Sequence, residues 1–184
     1  MRLLLLVAGA AWLALAAVLP AQAPETPEAK AVAYLTRAAT DFRSSNDCFS
    51  CHASGDAARA LFMAANRGHD IGDSLTKTRA FLEAPATWAA NKGHEADEEL
   101  ARLQFAAALA AAGDRDLRPA QPLVDAATII LGDQMPDGSW APDASDGPGS
   151  PLTWGTPVAT WMARTTLIAA GRQPDDFAVA QTDR

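Results

Sequence analysis

Along most of the chain apolar residues recur three and four positions apart, the spacing of one face of a helix. Ala31, Val32, Leu35, Ala38, Ala39 and Phe42 share such a face between Ala29 and Phe42. A second helix is expected from Cys51 or Asp56 to Asn66, with Ala57, Ala60, Leu61, Ala64 and Ala65 inward, stopped by Arg67-Gly68. Ser74 to Ala90 reads as a third, carrying Leu75, Phe81, Leu82 and Trp88 and weakened by Pro85. Asp97–Ala112 (Leu100, Leu103, Phe105, Ala108, Leu109) is a fourth, closed by Gly113. Pro119–Gln134 is a fifth, with Leu123, Val124, Ala127, Ile130 and Leu131. Residues 156–170 form a sixth, with Val158, Trp161, Met162, Leu167 and Ile168, capped by Gly171. Polar and turn-forming residues separate them at Arg43–Asp47, at Asn91–His94 and along Met135–Thr153.

The elements come in pairs. Three helical hairpins end in Ala-Ala-Asn-Arg-Gly68, Ala-Ala-Ala-Gly113 and Ile-Ala-Ala-Gly171. A repeat of roughly 45–60 residues marks stacked helix pairs, none of which can bury its apolar face alone. The expected fold is therefore all-α: about three stacked hairpins over residues 29–175, with a short tether at 24–28 and a tail at 176–184. The open edges of such a stack favour self-association.

The N-terminus adds a destination. Arg2, the apolar run Leu3–Leu19 and Ala21-Gln22-Ala23 have the form of a secretory signal over residues 1–23. An uncleaved anchor is the competing reading, because the run is near the lower limit for a span. The expected location is the periplasm or outside the cell, with no membrane span once the leader is removed. Twenty-two acidic against fifteen basic residues give a formal charge of -7, which argues against nucleic acid and fits docking to a basic partner.

The chemistry is concentrated in Cys48-Phe49-Ser50-Cys51-His52, which contains both cysteines of the chain. C-x-x-C-H is the attachment signature of a c-type haem. Two thiols three positions apart can form thioethers to one porphyrin, and the following histidine is held where its imidazole can ligate the iron. Cys48 and Cys51 are thus expected to anchor one covalent haem c, with His52 as proximal ligand. Export agrees, since this haem is attached outside the cytoplasm. The alternatives are a structural or redox-active disulfide, a zinc site lacking a second C-x-x-C or H-x-x-H, and an accidental match.

In the third hairpin Gln134-Met-Pro-Asp-Gly138-Ser-Trp140 resembles the QW motif of the squalene–hopene cyclase and prenyltransferase family of α/α toroids. Ser150-Pro151-Leu-Thr-Trp154-Gly155-Thr156 resembles that family's passage into an inner helix. The likeness covers roughly residues 28–175, in repeat pattern rather than long identities. It implies a partial α/α toroid, in which Gln134, Gly138 and Trp140 tie an outer helix to an inner one. The haem motif takes the equivalent place in the first hairpin, as in a group of exported bacterial proteins that combine cyclase-like repeats with C-x-x-C-H. The family's acidic D-x-D-D is missing: neither Asp143-Ala-Ser-Asp146 nor Asp133–Asp137 matches it. Terpene cyclisation is therefore not expected, and an electron carrier is expected rather than a catalyst.

A second axial ligand could come from Met63, His69, His94, Met135 or Met162. Met63 would lie about 16 Å along a helix from His52, His69 is farther, and Met162 has apolar neighbours. His94 and Met135 fall in the outer-to-inner connections of the second and third hairpins, so His94 is the first candidate and Met135 the second. Two axial ligands would suit electron transfer to a redox partner protein, whereas an open position would suit small-ligand sensing. Without haem, the chain would be a helical scaffold that binds a partner.

Overall fold

The computed structural model describes residues 26–46, 48–91, 98–113, 120–141 and 155–173, together with 176 and 179. The expected leader, His94 and the segment containing Asp143, Asp146 and Trp154 lie outside the described residues. The described residues are helical, with no strand among them. The helices are α1 (Pro27–Asn46), α2 (Ala58–Ala65), α3 (Thr76–Leu82), α4 (Glu98–Ala112), α5 (Gln121–Leu131) and α6 (Thr156–Ala169). A π-helical turn, Cys51–Ala57, runs directly into α2, and a 3-10 turn, Pro85–Ala90, follows α3. No helix among the described residues is long and apolar enough to cross a membrane.

The fold is organised around α4, which packs against α2, α3, α5 and α6. It is the element with almost no polar face: Leu100, Ala101, Leu103, Phe105, Ala106, Ala107, Ala108 and Leu109 are all buried. A helix apolar all round belongs in the middle of a fold. Its alanines let neighbouring helices approach closely. α2, α4 and α6 form one layer, while α5 packs beside the 3-10 turn. Asn66, at the end of α2, donates to the Ala111 carbonyl at the end of α4, so these two helices run parallel.

Several expectations about local structure are corrected. The helix expected to stop at Phe42 continues to Asn46 because local polar groups replace water at its end: the Asn46 amide donates to the Phe42 carbonyl at 2.8 Å. The third helix is broken before Pro85, which cannot supply the N–H that an uninterrupted helix needs. In the second helix Ala58, Leu61, Phe62 and Ala64 are buried while Ala60 is exposed. The π turn rotates the helix face by about one residue relative to the 3.6-residue pattern. Trp161 and Ile168, expected inward on α6, are exposed. Trp161 instead receives the Arg59 guanidinium over its ring at 5.9 Å.

Candidate haem-attachment site

Cys48, Phe49 and Ser50 lie between the end of α1 and the π turn, and Cys51 and His52 are the first two residues of that turn. Ser50 begins that turn. Its hydroxyl accepts the Ala53 N–H at 3.0 Å, and its carbonyl accepts from both Ser54 (2.8 Å) and Gly55 (3.2 Å). The second of these bonds spans five residues and makes the turn wide. Small residues permit this at Ala53, Ser54 and Gly55, all buried. Gly55 lies directly on α4: a methyl group there would come within 2.7 Å of the Gln104 Cβ.

Cys48 and Cys51 are half-buried and not bonded to each other. His52 stands at the surface with its ring edge-on to Phe42, centroids 4.6 Å apart and planes at 80°. Partial desolvation holds its imidazole below the usual histidine pKa, so at neutral pH it is in the unprotonated form that binds metals. Two half-buried cysteines outside any disulfide, beside a neutral surface imidazole, fit the donor set of a covalently attached haem. Among the described residues no three His, Cys, Asp or Glu side chains gather on one point. A haem iron takes one or two protein ligands, so this bears on neither reading of the motif.

Phe49 anchors the segment to the core. Its ring stacks on Phe81 at 3.9 Å, nearly parallel, with the Arg43 guanidinium 4.1 Å away on it. Phe81 in turn meets Phe105 edge-on at 5.1 Å, and Trp88 meets Phe105 at 5.5 Å. Asn91 bonds both backbone groups of Phe49. Asn91 is thereby tied to the C-x-x-C-H segment, while His94, three residues beyond it, lies outside the described residues.

The Gln134–Trp140 turn is at the same end of the molecule. Gln134 donates to the Gly138 carbonyl at 3.1 Å, and Gly138 has a φ of 90°, a conformation that favours glycine. Trp140 is fully buried and its indole N–H donates to the Ile130 carbonyl at 2.7 Å. Its backbone N–H donates to the Thr160 hydroxyl, joining α5 to α6. Arg102 on α4 grips Asp133 through two bonds of 2.8 and 2.9 Å, holding the turn against the central helix. Met135 is on this turn and half-exposed. Met63 is partly exposed on α2, Met162 is core, and His69 lies 3.3 Å from Glu28 near the hairpin's other end.

One buried polar pair escaped the sequence reading. Gln104, 2% exposed on α4, donates to Asp56 Oδ2 at 2.8 Å. Asp56 Oδ1 and Gln104 Oε1 are both buried and accept no hydrogen bond, although Arg59 is 3.6 Å from the former. The sole sequence signal was a glutamine in the middle of the most apolar helix. Burial pushes the Asp56 carboxyl pKa up, partly offset by Arg59. The folded state thus holds this proton more tightly than the unfolded chain. The stability linked to it is complete below the ordinary carboxylate range and is lost as pH rises through the raised value. Asp56→Asn keeps the shape and the acceptor for Gln104 Nε2 while removing the buried charge. It is expected to stabilise the protein by about 1 kcal/mol near neutral pH, with the gain fading toward roughly pH 4. Thermal melts of both proteins across that range check this.

Compared with protein-family models, curated proteins and solved structures, the chain finds no match.

Proposed function

We propose that the protein is an exported mono-haem c-type cytochrome-like electron carrier, built on a short arc of squalene-cyclase-like helical hairpins. The observation that supports it most strongly is the state of the motif: Cys48 and Cys51 form no disulfide and are part-accessible, and His52 is exposed and neutral beside them. In this reading Cys48 and Cys51 hold the haem through thioethers and His52 ligates its iron. The bound haem would supply a centre that exchanges one electron at a time. Phe42 limits the orientation of the His52 ring, and Phe49 fastens the attachment segment to the aromatic core. His94 is the preferred second axial ligand and Met135 the next. The acidic charge suits a basic redox partner.

The parallel packing of α2 with α4, with α6 alongside α4, supports the toroid-like part of the reading. So does the use of Gln134, Gly138 and Trp140 to join α5 to α6. An open stack of this kind would also leave an edge for self-association. The test is the visible spectrum of the purified exported protein, reduced, with and without carbon monoxide. A c-type spectrum unchanged by carbon monoxide is expected for an electron carrier with two axial side chains. Ready carbon monoxide binding would move the function to small-ligand sensing on the same haem, and no haem absorbance would overturn both.

A further inference from the structure

Both residues between the two cysteines are held, but by different means. Ser50 is fixed locally, as the cap of its own π turn. Phe49 is fixed from another hairpin. Its N–H donates to Asn91 Oδ1 at 3.1 Å, and Asn91 Nδ2 donates to its carbonyl at 2.6 Å. One side-chain amide thus satisfies both main-chain groups of one residue, as a neighbouring strand would. Phe81 and the Arg43 guanidinium hold the ring of the same residue. The clamp is part-buried and spans 42 positions of sequence, so it forms only when the first two hairpins are packed together.

We infer that Asn91 is a positioning residue for the dithiol: by holding the Phe49 peptide, it keeps Cys48 and Cys51 as two separate thiols available for haem attachment. The claim deepens the haem reading and rests on it for its purpose, but not for its chemistry. A disulfide needs the two Cβ atoms about 3.8 Å apart in a defined dihedral geometry. In a C-x-x-C, that geometry is reached by moving the peptides between the cysteines. A peptide bonded on both sides to another hairpin resists the movement. In an oxidising compartment this matters because disulfide formation competes with thioether formation for the same sulfurs. With oxidised glutathione as oxidant, the two thiols form one S–S bond, and two electrons and two protons pass to glutathione, leaving two reduced molecules of it.

The test uses the haem-free mature chain equilibrated in buffers of reduced and oxidised glutathione. The fraction of disulfide is read by thiol alkylation and mass, and circular dichroism shows that the protein stays folded. Asn91→Ala is expected to raise the disulfide equilibrium constant by roughly tenfold. Asn91→Asp keeps the acceptor for the Phe49 N–H but faces its carbonyl with a carboxylate, so it should fall between wild type and Asn91→Ala. It also serves if the alanine variant does not fold. Leu167→Ala, a core truncation on α6, should lower stability and leave the constant within about twofold. A folded Asn91 variant with the wild-type constant would overturn the inference. If wild type takes up no haem, the haem reading falls, while the glutathione equilibrium still decides what Asn91 does.

Discussion

Replacing Trp140 by alanine is expected to cost about 3–5 kcal/mol, the usual range for removing a buried tryptophan. The side chain is fully buried, and its indole N–H is bonded to the Ile130 carbonyl at 2.7 Å near the end of α5. Truncation would leave a large cavity and remove the indole hydrogen bond, leaving that carbonyl only its backbone donor from Asp133. The damage would not stay local, because the backbone N–H of the same residue bonds Thr160 and so joins α5 to α6. A domain of this size has about 5–15 kcal/mol in all, so the variant should be marginal. Trp140→Phe keeps most of the packing and loses the indole bond, and should cost about 1–2 kcal/mol. Urea denaturation checks both, as a lowered midpoint at unchanged slope.

Gly55→Ala is expected to cost about 1–3 kcal/mol, the range for overfilling a packed contact. Its methyl group would lie 2.7 Å from the Gln104 Cβ and 3.3 Å from that residue's carbonyl carbon. Those atoms belong to the central helix and cannot swing aside. Relief would come from lifting the π turn off α4, which would strain the bond between Gln104 and Asp56. The same turn begins with Cys51 and His52, so the variant should also attach haem less completely. Denaturation midpoints and the ratio of haem absorbance to protein measure the two effects. Wild-type values of both would show that the close approach at Gly55 is unimportant.

The helices were legible where a 3.6-residue apolar pattern met a clear stop. α4 is the best case: its leucines and Phe105 define it, and Gly113 closes it. Gly68 and Gly171 end their helices with φ near 90°, as their positions after apolar runs suggested. The four residues Arg43–Asn46 were not legible as helix, because polar side chains in sequence give no sign that Asn46 will bond the Phe42 carbonyl. Nor was the π turn, whose extra residue shifts the buried face from Ala57 and Ala60 to Ala58 and Phe62. The motif residues of the candidate site could be read directly as five adjacent letters. Their support could not. Asn91 reads as an ordinary turn residue, and its two bonds to Phe49 exist only once two hairpins pack. Trp161 reads as core, yet it lies exposed beneath Arg59.

The central claim is that Cys48 and Cys51 carry one haem. The most direct test is the intact mass of the protein exported from a host with cytochrome c maturation machinery, recorded with its visible spectrum. The mass of the processed chain plus one haem, stable to denaturation, together with a Soret band, is the predicted result. The mass of the bare processed chain with no Soret band, whether Cys48 and Cys51 are thiols or a disulfide, would contradict it. The protein would then be a haem-free helical scaffold for binding a partner.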